Sequence, residues 1–169
     1  MNNEKDNVYD LVEDFYAHDE GWNTLLRQEY AEGFLRMEAW KGKKNSDLYR
    51  SWDNLTMLCL YLGSAETFLG DMNADDFIDC IAWCGRNISE FTPDYKNTQD
   101  FLETCDGLFK YLKGKNAISN DKVPATAAEI LLQEGKMNII LPDGSFDEAN
   151  AERAWNATPD IPAKIFLNI

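Results

Sequence analysis

Histidine, basic residues and long apolar runs are scarce in this chain of 169 residues. His18 is the only histidine, so any catalytic arrangement built on imidazole, such as a Ser-His-Asp triad, must use it. Sixteen lysines and arginines face thirty aspartates and glutamates, which gives a formal net charge of -14. Nucleic acids and anionic membranes bind basic surfaces that replace their counterions, so the composition counts against both partners.

The chain also lacks the usual features of secretion and membrane insertion. Its most apolar run, Leu55 to Leu62, is far shorter than the roughly 20 residues that cross a bilayer, and its first ten residues are polar. The four cysteines are spread through apolar stretches and do not form a dense loop framework. We therefore expect a soluble cytoplasmic protein with free thiols and no membrane association.

Catalytic sequence motifs are missing as well. The chain contains neither the phosphate-binding pattern G-x-x-x-x-G-K-[ST] nor the dinucleotide-binding pattern G-x-G-x-x-G, and no H-E-x-x-H metal motif. No G-x-S-x-G nucleophile pattern accompanies His18. We therefore expect no cofactor and a non-enzymatic function.

Core-forming residues are plentiful. Hydrophobic residues make up 44% of the chain and aromatic residues 12%, which is too much for a disordered acidic polymer. The length suits one self-sufficient core, and the chain has no internal repeat and no linker rich in Pro, Gly and Ser. The prediction is a single compact domain over residues 1–169.

Apolar residues recur at three- and four-residue spacing from Val8 to about residue 134, which predicts amphipathic helices. The density of apolar residues from Leu55 to Leu62 predicts a central, buried helix that continues to Gly70. The predicted fold is mainly α: an antiparallel bundle of five to seven helices, with its core in residues 1–114.

The sequence predicts two helix starts in this region. Asn73 is followed three residues later by Asp76, which is a capping-box pattern, and the apolar stripe of this helix continues to Ile88 and Phe91. Thr92 is the predicted cap of the next helix, with Pro93 as its first residue, and that helix ends at Gly114.

The sequence changes character after the polar loop that ends at Lys122. Val123-Pro124 begins an Ala-rich helix, and the run 137–141 is a short apolar segment bounded by glycine and a turn, which predicts a strand. A lone strand needs a partner, and residues 164–169 alternate in a way that suits one. We predict that residues 123–169 form a small α/β appendage packed on the bundle. Whether the strands pair within one chain or between two copies stays open.

Cys80 and Cys84 are the weak candidates for a metal site. Four residues apart on a predicted helix, they place two thiols on one face, as two ligands would be placed. Only Cys59, Cys105 and His18 remain to complete a set, and none has accepted ligand spacing. Because cysteine often acts as a small buried hydrophobe, the favoured interpretation is that both belong to the core.

Adjacent carboxylates and the single histidine have structural interpretations too. Three of the four adjacent acid pairs, at 19–20, 75–76 and 147–148, stand at predicted helix starts, where the helix dipole favours negative charge. The fourth pair is Glu13-Asp14. His18 stands at a helix junction, where it can donate to the last carbonyl groups of the preceding helix.

Charge alternates along the chain in blocks. Residues 1–40 and 57–109 are acidic, whereas basic clusters follow two predicted helix ends. One interpretation is that these cations complement the helix dipoles. The alternative is that the two basic loops share one end of the bundle and form a positive patch for an acidic peptide or a phosphate group, with Lys43, Lys44, Lys113 and Lys115 as candidates.

Tryptophan is the remaining signal of an interaction surface, because its large side chain gives contact area at a low entropic cost. Most of the five tryptophans fall at core spacing. Trp22, Trp40 and Trp155 lie near predicted helix ends and are the candidates for exposed binding residues.

Three functional hypotheses follow, in order of preference. The first is a non-enzymatic helical protein-interaction or regulatory module that binds another protein or forms a homodimer. The second is an acidic decoy that mimics nucleic acid and binds a basic protein, which needs carboxylates in one continuous stripe. The third is a small metal-dependent hydrolase that uses buried carboxylates or the Cys80 and Cys84 face.

Overall fold

The computed structural model describes residues 7–18 and 27–133. Six α-helices follow one another in these ranges, and no strand occurs within them. They are α1 (Val8–His18), α2 (Gln28–Trp40), α3 (Asn45–Ala65), α4 (Ala74–Asn87), α5 (Tyr95–Gly114) and α6 (Val123–Gln133). A single 3₁₀ turn, Leu69–Asp71, lies between α3 and α4. The mainly helical prediction is confirmed, while the predicted strands at 137–141 and 164–169 lie outside the described residues.

Helix α3 is the buried centre of the fold, as its apolar density predicts. Trp52, Leu55, Leu58 and Leu62 are buried on successive turns, and α3 contacts α1, α2, α4 and α5. No helix in the described ranges, α3 included, combines the length and the apolar character that a membrane span requires.

Helix α3 ends earlier than the sequence indicates. The helix stops at Ala65 because Glu66 adopts a left-handed conformation, φ 56°, and its N–H donates to the carbonyl of Leu62. The prediction that Gly70 ends the helix is wrong. A left-handed glutamate gives no sequence signal, because that conformation normally favours glycine or asparagine.

The start of α4 is confirmed in detail. Asn73 Oδ1 accepts a hydrogen bond from the backbone N–H of Asp76, and the Asp76 carboxylate accepts one from the N–H of Asn73. The next predicted start is shifted: Asp94, not Thr92, caps α5 through the N–H of Asn97, and Pro93 precedes the helix. Ile88 and Phe91, which the apolar spacing assigns to α4, lie in the α4–α5 connection.

Helices α2 and α5 approach each other closely at two glycines. A Cβ added at Gly33 would overlap the Tyr111 hydroxyl, and one added at Gly107 would lie 3.2 Å from the Phe34 ring. This close approach depends on the missing side chains of the two glycines.

Helix α6 belongs to the same core as the preceding helices. Ala127 and Leu131 are buried, and α6 contacts both α4 and α5. The residues that follow Gln133 in the predicted appendage lie outside the described ranges. The division into a core at 1–114 and an appendage at 123–169, within one domain over 1–169, therefore stays a prediction.

Candidate functional site

A groove with a volume of about 280 Å³ lies between α5 and α6. Each helix contributes one face, because the lining residues recur every three or four positions. The α5 side consists of Tyr95, Gln99, Leu102, Glu103 and Asp106, and the α6 side of Pro124, Ala125, Ala128, Glu129 and Leu132.

The floor and one end of this groove are apolar. Leu102 and Pro124 are buried, whereas Tyr95 is 47% exposed and Leu132 is 52% exposed. Tyr95 is the first residue of α5 and Leu132 lies one residue before the end of α6. Two large apolar side chains that face solvent beside an apolar groove are typical of a binding surface.

The rim of the groove carries negative charge. Asp106 pairs with Lys110 on the next turn of α5. Glu103 and Glu129 form no ion pair within the described residues, although Glu103 accepts a hydrogen bond from Gln99 at 3.3 Å. The groove therefore presents an apolar strip beside unpaired carboxylates, an arrangement suited to an apolar ligand that also carries positive charge.

The two metal candidates lie in the core. Cys80 and Cys84 are buried on α4, their side chains share a hydrogen bond, and Cys84 Sγ lies 3.9 Å from the carbonyl oxygen of Met57 on α3. Cys105 on α5 interacts electrostatically with Cys84 and with Cys59. The structure thus brings all four cysteines together, at the contact of three helices.

Burial determines the chemistry of these thiols. It raises the pKa of Cys80 and of Cys105 well above the usual range, because a thiolate loses its hydration in the core. The thiolate is the form that binds metals and acts as a nucleophile. Within the part of the chain that is described, no group of three or more His, Cys, Asp or Glu side chains is placed to hold a metal ion.

His18 occupies the last position of α1, on the surface. Its Nδ1 lies 2.9 Å from the carbonyl oxygen of Asp14 and 3.2 Å from that residue's carboxylate. This agrees with the predicted interaction with the last carbonyl groups of the helix. Of the acid pairs predicted at helix starts, Asp75 and Asp76 occupy the first turn of α4, whereas the pairs at 19–20 and 147–148 lie outside the described ranges.

The two basic clusters stand at the ends of two different helices. Lys43 and Lys44 follow α2, whereas Lys113 and Lys115 stand at the end of α5. The positive patch that these four lysines would form therefore stays a prediction. Lys43 pairs with Glu38 at 3.2 Å, and Lys115 lies over the ring of Tyr111 at 5.6 Å, so both lysines also have local structural roles.

Trp40 is the most exposed large apolar residue in the described ranges, at 91%. It ends α2 beside the basic loop, whereas Trp52 and Trp83 are buried as their spacing predicts. Trp22 and Trp155 lie outside the described residues. Trp40 therefore remains an interaction candidate separate from the α5–α6 groove.

Sequence reasoning missed the residues of this groove. Tyr95, Glu103 and Leu132 have no unusual spacing along the chain, and only the docking of α6 on α5 brings them together. Leu132 gives no separate signal either, because it continues the apolar run Ile130-Leu131-Leu132 at the end of the Ala-rich helix. No protein-family model, curated protein or solved structure matches this chain.

Proposed function

We propose that this protein is a non-enzymatic helical interaction module whose α5–α6 groove binds an amphipathic, positively charged helix of a partner protein. The observation that carries the proposal is the combination of exposed Tyr95 and Leu132 with a rim of carboxylates. Apolar burial would supply most of the binding free energy, and the rim would select the sign of the partner's charge.

The dimensions of the groove suit a short helical ligand. From Pro124 to Leu132 the α6 side spans about 12 Å at 1.5 Å per residue. Apolar anchors at positions i, i+4 and i+7 of a bound helix span about 10 Å, which is the usual helix-in-groove pattern. The lysines and arginines of such a helix would flank the anchors and lie opposite Glu103 and Glu129.

The direct test measures fluorescence anisotropy with a labelled 18-residue helical peptide that has leucines at those anchor positions and lysines elsewhere. A second peptide keeps the leucines and replaces every lysine with glutamate. We expect saturable binding of the lysine peptide alone. Leu132→Asp should weaken that binding at least about tenfold, because it places a charge in the apolar strip.

Leu60→Asp is the matched control for the apolar strip. Leu60 is a 45% exposed leucine on α3, outside the groove, so this variant should bind as the wild type does. Circular dichroism establishes that both variants are folded. Equal loss of binding in Leu132→Asp and Leu60→Asp contradicts the proposal.

Charge is tested separately with the double variant Glu103→Lys, Glu129→Lys, which should reverse the preference between the two peptides. The double variant Asp10→Lys, Glu13→Lys, on the exposed face of α1, makes the same change of net charge outside the groove and is the control. Peptide binding that is unchanged in Leu132→Asp but is lost at high salt would support the acidic decoy instead. Sedimentation at several protein concentrations tests the homodimer alternative.

A further inference from the structure

A second cavity, with a volume of about 430 Å³, lies on another side of α5. Its walls come from α3, from the α4–α5 connection and from the first half of α5. This volume falls within the range of small-molecule sites, roughly 300–1,000 Å³. The α5–α6 groove shares none of its lining residues.

The cavity has an apolar floor and a mainly acidic rim. Met57 and Phe91 are buried, and Ile88 lies beside them at the end of α4. The rim holds three carboxylates, those of Asp53, Glu90 and Asp100, and one guanidinium, that of Arg50. Arg50 is already paired with Asp47 at 3.3 Å, so the carboxylates dominate the charge that a ligand meets.

Side-chain hydrogen bonds hold the cavity walls in place. Asn54 is 5% exposed, and its Nδ2 donates to the Asp100 carboxylate at 3.2 Å and to the Thr104 hydroxyl at 2.9 Å. On the opposite wall, Asn97 Nδ2 donates to the carbonyl of Thr92 at 2.8 Å. The position of the Asp100 carboxylate is therefore set by α3, which preorganises the site for a ligand.

The Asp100 carboxylate accepts the hydrogen bond from Asn54, whereas the Asp53 carboxylate accepts none from the described residues, and the surrounding atoms remove part of its water. This loss of hydration raises the pKa of Asp53. A bound cation would offset the hydration that the Asp53 carboxylate has lost. The Arg50 guanidinium is less able to do so, because it is already paired with Asp47.

We propose that this cavity binds a small organic cation, an aliphatic amine whose alkyl body lies on Met57, Ile88 and Phe91 and whose ammonium group is held by the carboxylates of Asp53 and Asp100. Three carboxylates against one guanidinium select a cation over an anion, and the apolar floor selects an alkyl body over a metal ion. This proposal does not rest on the proposed peptide groove, with which the cavity shares no lining residue.

The experiment titrates the folded full-length protein with butylamine, with 1,4-diaminobutane and with butyrate, followed by ¹⁵N–¹H NMR. We expect saturable shifts with both amines at residues 53–57, 88–91 and 97–100, and none with butyrate. Asp53→Asn should weaken amine binding about tenfold, because one charge-assisted contact is lost. Asp53→Glu keeps the charge and should restore most of the affinity.

Glu13→Gln is the matched control, since it removes one carboxylate from the exposed face of α1 and should leave the affinity unchanged. Non-specific attraction to a chain of net charge -14 would instead spread the shifts over the surface and weaken both variants equally. That result would overturn the proposal, and so would the absence of saturation with either amine. Neither result bears on peptide binding at the α5–α6 groove.

Discussion

Asn54 of α3 donates a hydrogen bond of 2.9 Å to Thr104 of α5, and both side chains are buried. Fifty residues separate them along the chain. Because Asn54 also reaches Asp100, one amide links two helices through two acceptors. This amide therefore fixes how α3 lies against α5 in addition to stabilising the contact.

We expect Asn54→Ala to lower the free energy of unfolding by about 1–3 kcal/mol, because buried acceptors lose their donor. Urea denaturation measures the change. Asn45→Ala is the control: Asn45 is exposed at the start of the same helix, and this variant should stay within about 0.5 kcal/mol of the wild type. Equal losses in the two variants would show that the buried contact contributes nothing.

Gly33 is required where α2 meets α5. Gly33→Ala should destabilise the protein by about 1–3 kcal/mol, because the added methyl group overlaps the hydroxyl of Tyr111. Alanine also has a higher helix propensity than glycine by about 1 kcal/mol, which offsets part of this loss of stability. Thermal unfolding measures the balance.

The matched substitution is Gly114→Ala, at a helical glycine with open space around it. It should be neutral or slightly stabilising. Introducing Gly33→Ala into a Tyr111→Phe background should cost less than in the wild type, since the overlapping hydroxyl is gone. An unchanged cost in that background would argue against the overlap as the cause.

The four thiols should be unreactive while the protein is folded. Cys59, Cys80, Cys84 and Cys105 are all at most 1% exposed, and burial raises the pKa of Cys80 and Cys105, so native thiolate is scarce. With a chromogenic disulfide reagent we expect no fast reaction at pH 7. In denaturant we expect four equivalents. A single fast equivalent in the native state would mean that one cysteine reaches solvent.

Asp53 should make stability depend on pH with a defined sign. Its pKa is raised in the folded state, so the folded chain binds the proton more tightly than the unfolded chain does. The contribution of Asp53 to the free energy of unfolding therefore increases as the pH falls through the folded-state pKa, and it decreases as the pH rises through that pKa. The effect should stay below about 1 kcal/mol, because Asp53 remains partly in contact with water.

Asp53→Asn accordingly should be slightly more stable than the wild type at pH 7, with the difference shrinking in acid. Urea denaturation at pH 7 and pH 4 measures both values. A variant that gains stability at pH 7 while losing amine affinity would show the usual conflict between function and stability at a binding site. A pH-independent difference would contradict the assigned cause.

Local signals in the sequence predict much of the helical structure. The capping pair Asn73 and Asp76 marks the start of α4, and the three- and four-residue spacing identifies buried residues on α3 and α5. These features are readable because their hydrogen bonds and faces involve residues at most a few turns apart. The shift of the α5 cap from Thr92 to Asp94 shows the limit, since both residues are acceptable helix caps.

The candidate site required information that no local pattern contains. The groove exists because α6 docks along α5, and the close approach of α2 to α5 exists because Gly33 faces Tyr111. Both are packing relationships between helices, and the spacing within one helix does not reveal them. Glu66 is a different case: its left-handed backbone ends α3, although glutamate rarely adopts that conformation.

The central position of helix α5 determines when the chain can fold during translation. It contacts α2, α3 and α6, and its Phe109 packs against Phe77 of α4 at 5.4 Å between ring centroids. A ribosome releases α2, α3 and α4 first, and each of them leaves a face uncovered until α5 emerges. The nascent chain should therefore gain its resistance to proteases in one late step, after Gly114 has been synthesised, and not helix by helix.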